Sequence, residues 1–395
     1  MIGPADASAP WPHAFGGVWR EWIMARALPL WSEQGYDSVR GLYHERLAWD
    51  GAPILLPQLR LMVQARQIAV YCRAGLDGLY ESSAPALAQA LRCLDTVERL
   101  YRRADGGAGW VFSLAPDGKP GSCMRDLYAH AFILFAYAWA YRLTGAPHYR
   151  RAARETVEEI WRLFATDGEG FLNCVPQTDS VRRQNPHMHL LEACLALFET
   201  TGEAFYLDQA RRLVALACNR FMDPRSGLLL EEFDAAWAPL APWGRNRVEP
   251  GHLFEWAWLL GEYSRLAVCG TDGGVHLRIV ADRLFAIGRA RGCAADTGLA
   301  YDAMTEEGVV MAHSTRIWPQ TELLRLLCQR RASAEGAEDG AVASLSALFF
   351  TRYAPARLAG GWVDQLDEGL APTVDYMPAS SLYHIYGAAR EMVDV

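Results

Sequence analysis

No cluster of lysine and arginine interrupts this sequence, and its formal net charge is −8. A nucleic-acid partner requires a positive footprint, so that class of function is excluded. No stretch of about 18 apolar residues runs free of charge, and no membrane-spanning helix is expected. The opening MIGPADASAPWPHAF has no basic segment and no continuous apolar one, so no secretory signal is expected. Nine cysteines are scattered along the chain, an odd number with no C-x-x-C pair among them. They read as reduced, mostly buried thiols of a cytoplasmic protein. There is no G-x-S-x-G elbow to present a nucleophilic serine. There is no dinucleotide fingerprint, and Gly118-Lys119 runs into Pro120 without the upstream glycines of a phosphate-cradling loop. No Pro/Ser-rich linker or change of composition divides the chain, so residues 1–395 read as one domain.

What is present is a repeat. Segments combining glycine, an aromatic or apolar residue and an acid or amide recur: Gly41-Leu-Tyr-His-Glu-Arg, Gly109-Trp-Val-Phe, Gly170-Phe-Leu-Asn, Gly227-Leu-Leu-Leu-Glu-Glu, Gly298-Leu-Ala-Tyr-Asp and Gly361-Trp-Val-Asp-Gln. Successive starting glycines stand between 57 residues (Gly170 to Gly227) and 71 residues (Gly227 to Gly298) apart. Several are followed by a second turn, such as Asp50-Gly51, Asp117-Gly118 or Glu307-Gly308, which suits short β-ribbons. Between them the hydrophobic pattern predicts twelve helices, near 11–34, 57–75, 84–103, 124–144, 147–165, 185–201, 203–221, 250–268, 273–291, 314–331, 334–352 and 379–393. Short links such as Thr144-Gly-Ala-Pro147, Thr201-Gly202 and Gly270-Thr-Asp-Gly-Gly274 join pairs into antiparallel hairpins. Six such hairpins imply an all-α architecture, an (α/α)6 barrel with inner and outer rings and short β-ribbons in the rim loops.

If the even-numbered helices form the inner ring, their N-terminal ends share one mouth. Their first turns carry an unusual set of polar and aromatic residues: Arg60, Gln64 and Arg66; Asp126, Tyr128 and His130; Asn185, His187, His189 and Glu192; His252 and Glu255; Trp318, Gln320 and Glu322; Ser380, Ser381, Tyr383 and His384. Polar groups are costly to bury without purpose, and their convergence marks a binding site. In Glu249-Pro-Gly-His252-Leu-Phe-Glu255-Trp256, Pro250 and Gly251 open a helix, and His252 and Glu255 then share its face. A carboxylate so placed can fix the tautomer of a basic imidazole; a local structural pair is the alternative. His187 points away from the Asn185–His189 face and reads as structural. Trp110 and Phe112, on the second ribbon, are candidate rim contacts, with core packing as the alternative.

His189, His252 and His384 could form a zinc site, but there is no H-E-x-x-H, and a carboxylate three residues from a histidine orients a base as readily as it serves a metal. Glycoside hydrolysis would need two free acids, and the candidates, Glu255 and Glu322, each have a histidine to serve. Histidine acid–base chemistry beside a carbonyl remains, with an arginine to stabilise an enediolate oxygen and no cofactor or metal.

The motifs Gln64-Ala-Arg66, Asn185-Pro-His-Met-His189-Leu-Leu-Glu192, Glu249-Pro-Gly-His252-Leu-Phe-Glu255-Trp256, Trp318-Pro-Gln-Thr-Glu322 and Leu382-Tyr-His384 together resemble the N-acylglucosamine 2-epimerase superfamily over nearly the whole chain. The resemblance implies the (α/α)6 barrel and metal-independent chemistry on a monosaccharide through ring opening and a cis-enediol. It implies that His384 takes the C2 proton, that His252 acts in ring opening or protonates the opposite face, and that Glu255 orients His252 while Glu322 orients His384. Arg66 would hold the developing negative charge. Asn185, His189, Tyr128 and Trp318, with Trp110 at the rim, would bind the sugar. The ending Met377-Pro-Ala-Ser-Ser-Leu-Tyr-His384-Ile-Tyr looks like the mannose isomerase branch, hence D-mannose to D-fructose. The alternatives are an N-acyl-D-glucosamine or other sugar 2-epimerase, and a sugar- or protein-binding relic of the same barrel. Arg182, Arg183, Arg245 and Arg247 precede inner helices as surface charges; receiving a phosphate or sulfonate on the sugar is their alternative role. A homodimer is compatible with this reading.

Overall fold

The computed structural model describes residues 13–80, 84–267, 271–331 and 338–393. The expected helix start at Trp11, the start of the eleventh helix before residue 338, and Gly270 with the adjacent Cys269 lie outside that set. The twelve helices are α1 (His13–Trp22, continuing through a π-helical turn Ile23–Ala27 into Leu28–Glu33), α2 (Leu61–Leu76), α3 (Ala84–Tyr101), α4 (Leu127–Thr144), α5 (Pro147–Phe164), α6 (Gln184–Thr201), α7 (Ala204–Leu216), α8 (Pro250–Ala267), α9 (Thr271–Gly292), α10 (Ile317–Arg331), α11 (Asp339–Leu348) and α12 (Leu382–Val393). Expected boundaries fall within five residues of these.

Burial separates the two rings. In α4 the run Ala129 to Ala140 is buried on every side, as befits a helix with neighbours all round. In α5, by contrast, Ala153, Val157, Ile160 and Phe164 are buried at helical spacing while Arg151, Glu155, Glu158 and Arg162 face solvent. Helix α2 packs on α4, α4 on α6, α6 on α8, α8 on α10, α10 on α12, and α12 returns to α2. Each inner helix carries its outer partner, α3 on α2, α5 on α4, α7 on α6, α9 on α8, α11 on α10 and α1 on α12. The ring is therefore closed, with the even-numbered helices inside.

The ribbons stitch neighbouring repeats together at the rim. The residues leading into each inner helix pair antiparallel with the ribbon of the next repeat: Leu59–Arg60 with Ser113–Leu114, Arg125–Asp126 with Cys174–Val175, Arg182–Arg183 with Glu232–Phe233, Arg247–Val248 with Met304–Thr305, and Thr315–Arg316 with Gln365–Leu366. Tyr376–Pro378 closes the circle on Arg46–Ala48 of the first repeat.

A second device recurs beneath each seam. The side chain four residues into an inner helix clasps the backbone just after the repeat glycine. Gln64 accepts from Tyr43 N at 2.7 Å and donates to Tyr43 O at 2.8 Å. Gln320 does the same at Ala300, 2.8 Å each way. His130 Nε2 accepts from Trp110 N at 3.2 Å, and His187 Nε2 accepts from Phe171 N at 2.9 Å. The glycine is needed because the chain turns back hard against the clasp. Gly109 sits at φ +79°, and an added Cβ would lie 2.7 Å from Leu163 Cδ1 and 3.0 Å from His130 Nε2. In the sixth repeat the left-handed residues are Ala359 (φ +48°) and Gly360 (φ +106°), just before the expected Gly361.

Candidate active site

The N-terminal turns of all six inner helices meet in a cavity of about 440 Å³. Arg66, Tyr128, Asn185, His189, His252, Glu255, Trp318 and His384 line it, with Ser380 and Ser381 beside the last. Four of the positions follow one rule. Arg66, His189, Glu255 and Glu322 are each the sixth residue of their inner helix, two beyond the fourth, so sequence spacing alone aims them at the barrel axis, while His384 is the third residue of α12. A wider depression of about 920 Å³ around Arg182 and Trp237 shares no residue with this cavity and gathers no histidine.

Two histidines dominate, and each has its own buried carboxylate. Glu322 Oε1 lies 2.7 Å from His384 Nδ1, leaving Nε2 available to the cavity. Glu231 lies 2.9 Å from His252 Nδ1. The amide of Gln184 donates to Glu231 at 2.8 Å while its oxygen accepts from Trp256 Nε1 at 2.7 Å, which fixes the arrangement around His252. Trp318 links the pair: its ring centroid is 4.9 Å from that of His252 and 5.6 Å from that of His384.

The surroundings drive the two imidazoles apart. Burial, reinforced by the Arg66 guanidinium, holds His384 well below the ordinary histidine value, so it is a neutral base. Burial also opposes protonation of His252, but the Glu231 carboxylate outweighs it and raises His252 above the ordinary value. Opposed environments of this kind assign a base and an acid to one site.

Arg66 is aimed at the same space. It donates to Ser380 O at 3.0 Å and to the Tyr128 hydroxyl at 2.5 Å, and its guanidinium packs 4.2 Å from the Phe132 ring centroid. His189 packs at 4.9 Å against the Tyr128 ring, and its Nδ1 contacts Glu192 at 3.3 Å. Burial pushes His189 down to about 4, so it too is neutral. Although burial opposes it, the hydrogen bond from His189 and the charge of Arg325 hold Glu192 down to about 2. Glu255 is the opposite case. Burial, with the charges of Glu322 and Glu192, raises it well above the carboxylate range, and neither of its oxygens has a hydrogen-bond partner. It is a neutral carboxylic acid at the cavity floor.

Two groups have ligand atoms within 4.8 Å of one another and could hold a metal: His189, Glu192 and Glu255, and Glu255, Glu322 and His384. In both, the histidine Nδ1 is already engaged by a carboxylate, and Arg325 lies 3.4 Å from Glu322 and 3.6 Å from Glu192. A guanidinium paired with both acids already neutralises the charge a divalent cation would need.

Two sequence expectations need correction. Glu255 shares a helix with His252 but does not orient it. One helical turn separates their directions enough that Glu255 faces His189, 3.7 Å away, while His252 turns to the rim and Glu231. Trp110 does not line the cavity. Its side chain is fully buried beneath the ribbon, 6.2 Å from the Tyr137 ring, and the His130 clasp holds its backbone. The other expected residues converge as the motifs implied, with Glu322 placed behind His384. Sequence reading missed Glu231, although it stands in the quoted ribbon Gly227-Leu-Leu-Leu-Glu231-Glu; only the pairing of that ribbon with the α6 entry and Arg247–Val248 brings it to His252. It also missed Gly251. A Cβ there would sit 2.5 Å from the Trp318 ring, so glycine makes room for the indole.

Fold and site together are those of a sugar isomerase or epimerase. The chain belongs to the N-acylglucosamine 2-epimerase (GlcNAc 2-epimerase) family, whose model matches residues 41–388. It is 32% identical over 390 residues to a mannose-6-phosphate isomerase of Rhizobium meliloti (strain 1021), covering 97% of each chain. It is 26% identical to a D-mannose isomerase of Thermobifida fusca, covering 87% of each. The fold matches that of a D-mannose isomerase crystal structure (TM-score 0.83, 20% identity, 98% of this chain and 100% of that one). It also matches cellobiose 2-epimerase from Bacillus thermoamylovorans B4167 (TM-score 0.85, 17% identity, 97% and 100%). No described helix is long and apolar enough to cross a membrane.

Proposed function

We propose that the protein interconverts D-mannose and D-fructose by proton transfer between C2 and C1. The observation that carries this reading is the pair of oppositely tuned histidines beside one indole. His252, protonated against Glu231, donates to the ring oxygen as the C1–O5 bond breaks, and the proton of the C1 hydroxyl passes back to the imidazole, leaving the open-chain aldehyde. His384 Nε2 then removes the C2 proton, with Glu322 supporting the imidazolium that forms. The electron pair moves to O1 as a cis-enediolate, and the Arg66 guanidinium stabilises its oxygens. His384 returns the proton to C1 while the proton of the C2 hydroxyl passes to O1, so that C2 becomes the ketone and C1 the primary alcohol. Neutral Glu255 can donate a hydrogen bond to a sugar oxygen. Asn185, His189 and Tyr128 hold hydroxyls, and Trp318 packs on the ring.

The free sugar is the substrate of this reading, although one relative is named for the 6-phosphate. Four of the arginines around the mouth are already committed, Arg60 to Glu45 at 2.7 Å, Arg183 to Asp179 at 2.9 Å, Arg247 to Glu249 at 3.0 Å and Arg316 to Asp302 at 3.3 Å, while Arg46 packs 4.2 Å from the Tyr376 ring centroid. Arg245 is exposed and does not line the cavity. The eight described cysteines are free thiols, which suits a cytoplasmic setting.

A 2-epimerase is the second reading, and the protonated state of His252 favours it, because an acid on the far face of the enediolate would invert C2. Incubation with mannose in deuterated water separates these readings. Fructose carrying deuterium at C1 supports the isomerase, and glucose carrying deuterium at C2 supports the epimerase. If no aldose among mannose, mannose 6-phosphate, N-acetylmannosamine and cellobiose exchanges its C2 proton, the catalytic reading fails.

A further inference from the structure

Between the C-terminal halves of the inner helices, away from the mouth, lies a second cavity of about 40 Å³. Arg73, Trp139, Glu192, Trp258, Arg325 and Arg390 are among its walls. Its buried polar atoms are unbalanced. Arg73 Nε, Trp139 Nε1, Trp258 Nε1 and Arg325 Nε have no hydrogen-bond partner, and all four are donors. Among the described lining residues the one buried acceptor in that condition is Glu192 Oε1, which already faces Arg325 at 3.6 Å.

The arginines around the cavity are unequally paired. Arg73 is 4% exposed, and its side chain forms no ion pair or hydrogen bond with any described residue. Aromatic rings pack around its guanidinium, with centroids at 4.8 Å (Trp139), 5.6 Å (Tyr386) and 5.7 Å (Phe135). The other charged groups facing the cavity are engaged with one another. Arg390 holds Asp77 at 3.0 Å, Arg265 holds Glu262 at 2.7 Å and Glu199 at 3.3 Å, and Arg325 lies over the Trp258 ring between Glu322 and Glu192. Arg73 is the one of these four arginines with no described carboxylate within ion-pair distance. A buried charge without a partner is strongly unfavourable, and the unpartnered donors around this space define what would relieve it.

We propose that this cavity is a binding site for a small monovalent anion of halide size. A water needs about 10–15 Å³ of such space, so about 40 Å³ takes a halide with a water beside it and is too small for phosphate or a sugar. The indole N–H groups suit a soft, spherical acceptor, and Arg73 supplies the compensating charge. The competing occupant is a chain of waters joining Arg73 to Glu192.

The test uses the intact protein and needs no turnover. Thermal melting is followed in sodium gluconate and in sodium chloride or bromide at matched ionic strength. The expected result is a saturable rise in Tm of a few degrees with either halide, reflecting binding to the folded state alone. Arg73→Met should melt at the same temperature in all three salts. Should that variant fail to fold, crystals of the unaltered protein soaked in bromide give the same information. An anomalous bromine peak within hydrogen-bond reach of the Arg73 guanidinium is expected. Equal melting in gluconate and halide, halide dependence that persists in Arg73→Met, or bromine peaks on the surface with only water in the cavity would each overturn the proposal.

Discussion

Glu231 Oε2 lies 2.9 Å from His252 Nδ1, reaching across from the ribbon between α7 and α8 to the first turn of α8. The contact is what keeps His252 protonated in a buried place. Replacing Glu231 by glutamine preserves the shape and removes the charge, so the pKa of His252 should fall. Activity that requires protonated His252 is lost as pH rises through that pKa. In Glu231→Gln the basic limb of the kcat/KM–pH profile should therefore move to lower pH, while the acid limb, set by His384, stays in place. A profile with an unmoved basic limb would remove His252 from the acid role.

His384 carries the base function in this reading. His384→Asn keeps a polar side chain of moderate size near Glu322 but cannot take a proton from carbon. Exchange of the mannose C2 proton, followed by NMR in deuterated water, should fall about 10²- to 10⁴-fold, the usual contribution of a positioned general base. The circular dichroism spectrum and Tm should change little. Surviving exchange would place the base elsewhere.

Gly251 should matter through Trp318 and not through its own helix. In Gly251→Ala the new methyl would meet the indole at 2.5 Å, and Pro319 Cβ at 2.9 Å. The helical backbone gains from alanine by roughly 1 kcal/mol, which partly offsets the crowding. The expected outcome is a raised KM and a lowered kcat for mannose, measured by steady-state kinetics, in a protein that still melts cooperatively.

The buried histidine clasps make the fold sensitive to acid. Burial holds His187 at about 4 against 6.5 for an exposed histidine, and His130 likewise at about 4. Between those values the unfolded chain binds more protons than the folded one. Stability is thus complete above pH 6.5 and declines as pH falls towards 4, by roughly 3 kcal/mol for each group. Gln64 and Gln320 perform the same clasp without titrating. His187→Gln should accordingly flatten the fall in Tm between pH 6.5 and 4 while leaving turnover at neutral pH nearly unchanged.

The helices were legible because each inner helix is apolar on every side and each outer one on one side, a difference visible in the chain. The floor of the site was legible too, since Arg66, His189, Glu255 and Glu322 occupy one helical position in four repeats. Glu231 was not, because its meeting with His252 depends on the register of a two-residue ribbon pair and not on any periodicity. Trp110 misled for a related reason. An aromatic on a rim ribbon can point to either face, and the His130 clasp that turns it inward is formed by a residue twenty positions further on. Gly251 gave no signal, because what it accommodates is a side chain on the next inner helix.

The seam between Tyr376–Pro378 and Arg46–Ala48 leaves the ring without a first or last member. Helix α1 packs on α12, so the two ends of the chain already meet on one repeat. Cutting the loop within any outer hairpin and joining the old termini would retain all six seams, and such circular permutants should fold. Deleting one repeat would instead expose two unpaired strand edges and open the cavity to solvent. The molecule is thus tolerant of where its chain begins and intolerant of how many units it has.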